Sequence, residues 1–148
     1  MDNMMITLPL LILFLPLVSF IILIFFGKKL PRQGDWVAVG SIVATFFFAL
    51  YLFIQMILEY DPGFSHGASF SWIDLEAFKI DLGILVDNLT VIMLLIVTLV
   101  SSCTHIFSLK YMEGDIRYSR YYAYLGLFTF SMNGIVLADN LISMYMFW

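Results

Sequence analysis

The residue in this sequence best suited to moving a proton is His105, which lies within a long apolar run. An imidazole gains and loses a proton near neutral pH, and an ionisable side chain inside a membrane usually faces a polar or hydrated path. Ser101, Ser102 and Ser108 are neighbours of His105 at helical spacing and can form a polar stripe that holds water. His105 is therefore a proton-pathway candidate. The alternative is that it reaches interfacial water near the end of its helix and hydrogen-bonds a loop.

Asp87, Asp139 and Asn140 stand directly before apolar runs. A carboxylate or amide in that position can accept hydrogen bonds from the first-turn N–H groups and suits the helix dipole. For Asp87 and Asn140 we favour helix capping, with a place at a pathway mouth as the alternative. For Asp139 capping and a proton-pathway role both stay open, because a capping carboxylate can also sit at the mouth of a path.

The remaining residues do not suggest a catalytic centre. Two histidines and a single cysteine cannot build a typical metal site, and the sequence has neither a phosphate-binding glycine loop nor a nucleophile motif. The net charge of -4 contains no acidic or basic block, which argues against nucleic-acid binding. We therefore predict no catalytic, cofactor or metal site within these residues.

The composition is that of an integral membrane protein, because 62% of the residues are hydrophobic and 12% are charged. Soluble domains carry about 25% charged residues. The apolar runs predict an all-α single membrane unit over residues 1–148, with four transmembrane helices and a truncated fifth at 6–26, 36–58, 88–109, 121–138 and 141–148. Residues 68–84 alternate apolar and polar side chains, which predicts a β-hairpin outside the bilayer.

The last apolar run has room for about 12 Å of helix, against about 30 Å of hydrocarbon. We therefore expect an amino-terminal fragment of a larger subunit. Six of the seven Lys and Arg residues fall in the loops after the first and third helices. The positive-inside rule places those loops in the cytoplasm and the amino terminus outside.

Pro16 lies in the middle of the first apolar run. Proline has no N–H, so the carbonyl four residues earlier loses its helical partner. Hydrocarbon offers no water as a substitute, and we expect a neighbouring helix to supply the donor.

Several motifs together resemble the amino-terminal part of the antiporter-like subunit L of proton-translocating NADH:quinone oxidoreductase, respiratory complex I. They are LVDNLT at 85–90, His105, Tyr111 with Met112, YSRYYAY at 118–124, LADNL at 137–141, and Met144, Tyr145 and Trp148. The sequence is similar also to the A-type subunit of Mrp antiporters. The resemblance is specific over residues 80–148 and rests on helix layout before them.

The resemblance implies a helical bundle within a larger subunit that moves protons along buried Glu, Lys and His residues. His105 and Asp139 fall on recurring positions of the family, and the family's glutamate follows the tryptophan that here is Trp148. The implied partners are other membrane-arm subunits and the lipid bilayer. NADH, FMN, iron-sulfur clusters and quinone would belong to those partner subunits. We expect a bacterial inner membrane, with the mitochondrial inner membrane as the alternative.

Two other functions stay open at this stage. The first is a subunit of an Mrp-type cation/proton antiporter or of a membrane-bound hydrogenase, which shares the motifs. The second is a small structural membrane protein.

Overall fold

The computed structural model describes residues 2–58, 63, 65–75 and 78–148. Besides the short 3-10 helices Gly27–Lys29 and Pro31–Gly34, this part of the chain has five α-helices and two strands: α1 Asp2–Phe26, α2 Asp35–Leu58, β1 Ser65–Leu75, β2 Phe78–Asp87, α3 Asn88–Tyr111, α4 Tyr118–Leu137 and α5 Leu141–Phe147. Among the described residues, three helices are long and apolar enough to cross a membrane: Ile6–Phe26, Pro31–Leu58 and Asn88–Tyr111. The predicted class, a helical membrane protein, is confirmed at this level.

Two helices begin three or more residues earlier than their apolar runs suggested. Helix α1 starts at Asp2 and α4 at Tyr118, whereas the runs begin at 6 and 121. The apolar run marks the part of a helix that suits hydrocarbon, and the backbone hydrogen bonds continue into the polar interface.

Helix α1 packs closely on α4 because Gly126 has no side chain. A Cβ at Gly126 would lie 3.3 Å from the carbonyl oxygen of Pro16 and 3.8 Å from the backbone nitrogen of Phe20. Both neighbours are backbone atoms of α1. The glycine therefore sets how near the two helix axes can approach.

The same pair of helices satisfies the backbone group that Pro16 leaves unpaired. The side-chain nitrogen of Asn133 on α4 donates to the carbonyl oxygen of Ile12 at 3.3 Å, and both residues are fully buried. Ile12 is four residues before Pro16, so this is the carbonyl that the missing N–H would have reached. The prediction that a neighbouring helix supplies the donor is confirmed.

A double-mutant cycle should show that Asn133 and Pro16 depend on each other. Asn133→Leu should lower the free energy of unfolding by about 1–2 kcal/mol, because it leaves a buried carbonyl without a donor. In a Pro16→Ala background the restored N–H can bond Ile12, and the same substitution should cost less. Denaturing-detergent titration of the four proteins measures both costs. Equal costs in the two backgrounds would contradict the pairing.

The core between α2 and α3 is apolar at one end and partly polar at the other. Ala49 and Leu52 pack with Val91 and Leu94 in one buried cluster. Further along, the Ser102 hydroxyl lies 3.4 Å from the Ile42 carbonyl across the interface. The polar end of this interface, at Ser102, is the end nearer to His105 along α3.

The strands β1 and β2 form an antiparallel hairpin that reaches beyond the predicted residues 68–84. Its pairing runs from Ser65 opposite Asp87 to Leu75 opposite Phe78, with an irregularity between Ser71 and Ile73. The base of the hairpin lies against the turn between α4 and α5.

One bridge and one hydrogen bond fix that contact. Ile84 forms an antiparallel bridge with Ala138, and the Asp139 N–H donates to the Gly83 carbonyl at 3.4 Å. A Cβ on Gly83 would overlap the Asp139 carboxylate, so glycine allows this close approach. The hairpin therefore holds the backbone that leads into α5.

Candidate functional site

His105 is fully buried, with its ring directed into the helical bundle. Its Nδ1 lies 2.8 Å from the Ser101 carbonyl oxygen. A carbonyl can only accept, so Nδ1 carries the proton and Nε2 is the basic nitrogen. Nε2 is buried and has no hydrogen-bond partner among the described residues. The ring bonds its own helix and not a loop, so the arrangement fits a group that accepts a proton inside the protein.

The serines predicted to accompany His105 lie close to it, but their hydroxyls mainly bond the α3 backbone. Ser102 donates to the Thr98 carbonyl at 2.8 Å, and Ser108 donates to the Thr104 carbonyl at 2.7 Å. Such bonds occupy the hydroxyl proton while the oxygen lone pairs stay available as acceptors.

Helix α4 closes the other side of this polar stripe. The Tyr122 hydroxyl donates to the His105 carbonyl at 3.1 Å, and Thr129 Oγ1 lies 3.3 Å from Ser101 Oγ. The Ser108 and Tyr121 hydroxyls are 3.0 Å apart. Polar groups from α3 and α4 therefore meet over about two helical turns, on both sides of His105.

A cavity of about 300 Å³ lies between α3 and α4 beside the His105 ring. Most of its lining is apolar, with Met93, Val97 and Phe128 among the contributors. The Phe128 side chain is 59% exposed, so the cavity opens towards the outer face of the two helices.

Asp35 is a buried acidic residue that the sequence analysis missed. Only 3% of its surface is exposed, although it lies at the start of α2 in what looked like a loop. The Tyr118 hydroxyl donates to its Oδ2 at 3.2 Å, and Arg32 lies 3.2 Å from the same oxygen. Its position directly before an apolar run, as for Asp87, is the signal that could have identified it.

Asn133 was missed as well, although a carboxamide in the middle of an apolar run is itself a signal. In hydrocarbon such a group must find a partner, and its Oδ1 is buried without one among the described residues. Its amide nitrogen serves Ile12, as described above.

The three polar residues before apolar runs have different partners. Asp87 Oδ1 accepts from the Thr90 N–H at 2.7 Å, and Asn140 Oδ1 accepts from the Ser143 N–H at 2.8 Å. Both geometries are those of a helix N-cap. Asp139 accepts instead from the Asn140 side chain at 2.8 Å, so the residue that caps α5 is Asn140 and not Asp139.

The structure does not bring His105 and Asp139 together. His105 contacts Tyr122 near the start of α4, while Asp139 follows the end of α4. At 1.5 Å per residue these positions are about 25 Å apart along the helix. Any shared role would need further polar groups between them.

The described residues contain no group of three or more His, Cys, Asp or Glu side chains that could hold a metal ion.

On the side of the basic loops, Glu113 is exposed and is hydrogen-bonded to Lys110. That hydrogen bond and the adjacent positive charge lower the pKa of Glu113 below its ordinary value.

The architecture and the site define the class of protein: a helical membrane protein with an ionisable residue and hydroxyl groups buried between its helices. The resemblance predicted from the sequence is confirmed by comparison with known proteins. The family described as NADH-Ubiquinone oxidoreductase (complex I), chain 5 N-terminus, matches residues 72–122.

Individual relatives agree with that match. The chain is 42% identical to NADH-ubiquinone oxidoreductase chain 5 of Chondrus crispus over 94% of this chain and 21% of that protein. It is 36% identical to NADH-quinone oxidoreductase subunit L of Rickettsia bellii over 96% of this chain and 22% of that protein. The chain thus spans about a fifth of the length of the curated relatives it matches.

A solved structure shares the fold at low sequence identity. It is that of the membrane-bound sulfane sulfur reductase, an archaeal respiratory membrane complex, with a TM-score of 0.71 and 14% identity. The alignment covers 94% of this chain and 27% of that one. The likeness shows that this helical arrangement occurs in a respiratory membrane complex.

Proposed function

We propose that this chain is part of a proton-translocating membrane-arm subunit of NADH:quinone oxidoreductase. The observation that carries the proposal is the buried His105, with its unpartnered basic Nε2, in a chain similar to chain 5 and subunit L. In this proposal quinone reduction takes place in partner subunits, and this chain supplies groups along which protons move. NADH, FMN, iron-sulfur clusters and quinone are bound by those partners.

Within this function His105 is the proton-carrying residue. Its Nε2 can accept a proton and return it, while the bond from Nδ1 to the Ser101 carbonyl holds the ring in place. The hydroxyls of α3 and α4 offer lone pairs to water that enters the stripe. Asp139 is proposed as a supporting pathway residue, and Asp87 and Asn140 as helix caps near a pathway mouth.

The finer membrane arrangement is also a proposal. We infer that α4 spans the bilayer as a fourth helix and that α5 is part of a fifth, with residues 1–148 forming one membrane unit. The distribution of Lys and Arg supports cytoplasmic loops after α1 and α3, and hence an amino terminus and a hairpin outside. We propose a bacterial inner membrane as the location.

An antiporter-type function is the second candidate, because the shared fold in the sulfane sulfur reductase complex shows that this arrangement is not confined to one enzyme. An Mrp-type antiporter or membrane-bound hydrogenase subunit would use the same buried groups to exchange cations for protons. A small structural membrane protein is the third, and it would need no buried basic nitrogen.

Affinity purification from the native host tests the function directly. The tagged protein, extracted in mild detergent, should copurify with NADH:quinone oxidoreductase activity. In liposomes, NADH and quinone should then drive proton transport that a protonophore abolishes. Cation/proton exchange without NADH oxidation would support the antiporter alternative, and recovery as a monomer without either activity would support the structural one.

A further inference from the structure

A cavity separate from the one beside His105 lies where the two basic loops meet at the start of α4. Its volume is about 420 Å³, and its lining residues are Gln33, Ile116, Arg117, Ser119 and Arg120. Two of these residues are basic and none is acidic, although the chain as a whole has a net charge of -4. The cavity is therefore a locally positive part of an otherwise acidic protein.

The two arginines of this cavity have no acidic partner. Two other basic residues on this side do have carboxylate partners, in the pairs Arg32–Asp35 and Lys110–Glu113. Among the described residues, the guanidinium groups of Arg117 and Arg120 form neither an ion pair nor a hydrogen bond. The nearest acid in sequence, Asp115, accepts from the backbone N–H of Arg117 at 2.6 Å instead. Both guanidinium groups are thus available to an anion from outside the chain.

The first turn of α4 adds further positive charge to the cavity. Arg117 is the N-cap residue, it makes no side-chain capping hydrogen bond, and the first turn contains no acidic residue. The amino-terminal end of a helix carries a partial positive charge, so anions stabilise it and cations destabilise it. Two arginines at this end are unfavourable for the isolated helix. A bound anion would turn the same arrangement into a favourable one, because guanidinium groups bind phosphate in a bidentate geometry.

Exposed aromatic side chains show the depth at which the cavity lies. Trp36 is 57% exposed and follows Gln33 by three residues, and Tyr124 is 58% exposed and lies about one turn beyond Arg120. Tryptophan and tyrosine favour the boundary between hydrocarbon and headgroups. The cavity lies about one turn farther from the hydrocarbon than these rings. That is the level of the lipid phosphates.

The remaining exposed side chain of the cavity is apolar. Ile116 is 94% exposed, beside the two arginines. A phospholipid offers a phosphate to the guanidinium groups and an apolar glycerol and acyl region to the isoleucine. A free phosphate ion offers only the first of these contacts. The pairing of basic and apolar groups therefore favours a lipid over a soluble anion.

We propose that this cavity binds the headgroup of an anionic phospholipid, with the phosphate between Arg117 and Arg120 and the glycerol against Ile116. Because Gln33 belongs to the other basic loop, the bound lipid joins the loop before α2 to the start of α4. The site goes beyond the proposed function, since it holds whether or not this chain carries protons.

Photolabelling of the assembled complex tests the site. The complex is placed in phosphatidylcholine nanodiscs that contain a phosphatidylglycerol with a photoreactive headgroup, and the labelled peptides are mapped by mass spectrometry. We expect label on residues 116–120. An excess of unlabelled phosphatidylglycerol should displace it, and an excess of phosphatidylcholine should not.

Replacing both arginines with glutamine, Arg117→Gln with Arg120→Gln, should lower labelling of this peptide about 25-fold, because each basic side chain near an anionic membrane contributes about fivefold in affinity. Both arginines are exposed, so the variant should fold, which helical circular dichroism checks. Lys29→Gln is the matched control. Lys29 is exposed on the same side and carries the same charge, but it does not line the cavity. Its replacement should leave the labelling unchanged.

Replacing both arginines with lysine distinguishes a built site from a diffuse positive surface. The variant Arg117→Lys with Arg120→Lys keeps the charge but loses the bidentate geometry, so labelling should still fall several-fold. Full labelling of the lysine variant, or an equal loss in Lys29→Gln, would mean that general surface charge attracts the lipid.

Two further outcomes would overturn the lipid as the occupant. Displacement of the label by glycerol 3-phosphate as effectively as by phosphatidylglycerol would identify a soluble anion. A chemical cross-link from the 116–120 peptide to an acidic segment of a neighbouring subunit, without any lipid label, would identify a protein partner. None of these results depends on proton transport, so a wild-type complex that oxidises NADH without moving protons would refute the proposed function and leave the lipid site intact.

Discussion

On the proposed function, replacing His105 with leucine should lower NADH-driven proton transport by the assembled complex about a hundredfold. Leucine fills the buried site but has no basic nitrogen, and a positioned acid–base group typically contributes about 10²–10⁴ in rate. The measurement is the initial rate of proton transport in vesicles, normalised to the amount of assembled complex. Normalisation matters because His105 is fully buried, and its loss can also reduce assembly.

A second substitution distinguishes acid–base chemistry from packing at this position. Asparagine can donate its amide N–H to the Ser101 carbonyl, as Nδ1 does at 2.8 Å, but it cannot take the place of Nε2 as a base. His105→Asn should therefore lose as much proton transport as His105→Leu. Phe107→Leu on the exposed face of the same helix is the control. Near-normal transport by His105→Asn would show that the hydrogen bond, and not the basic nitrogen, is what matters.

Gly126→Val should lower the free energy of unfolding by about 2–3 kcal/mol, the upper part of the range for overpacked interiors. A Cβ alone already lies 3.3 Å from the Pro16 carbonyl oxygen, and valine adds two methyl groups to that contact. The opposing atoms belong to the α1 backbone, so they cannot rotate away as a side chain can. The two helices must separate instead.

Gly40→Val on α2 is the matched control for this prediction. A Cβ at Gly40 meets no atom within 4 Å, and the change in side chain and helix propensity is the same. Denaturing-detergent titration, followed by helical circular dichroism, measures both variants. Equal free energies of unfolding for the two valine variants would mean that the α1 and α4 contact is not limited by Gly126.

The class of fold follows from the sequence because hydrocarbon imposes length and hydrogen bonding on every helix. The apolar runs locate α1, α2 and α3, and Pro16 predicts that a carbonyl on α1 needs a partner from another helix. The identity of that partner, Asn133, depends on how α1 and α4 rotate against each other. The rotation of α1 against α4 cannot be predicted from any short stretch of the sequence.

Only part of the candidate site could be predicted, because the rest also depends on how the helices pack against each other. His105 was identified because an imidazole in an apolar run is rare, but the tautomer and the cavity beside it come from the packing of α3 on α4. The position of Asp35 before an apolar run was a local signal, but its burial against Tyr118 was not, because Tyr118 is 83 residues away in sequence. Asn140 rather than Asp139 caps α5 because its backbone, with φ -140° and ψ 162°, aims its side chain at the Ser143 N–H.

The hydrogen bond between Asn133 and Ile12 also bears on how the protein enters the membrane. Ribosomes make α1 long before α4, so the Ile12 carbonyl must wait for its donor, Asn133, until 121 more residues have been added. During that interval a lone α1 would expose the carbonyl to lipid, which is unfavourable. We expect α1 to stay beside the insertion machinery, or to keep a water molecule at Ile12, until α4 arrives. The order of synthesis thus leaves the first helix dependent on a residue made much later.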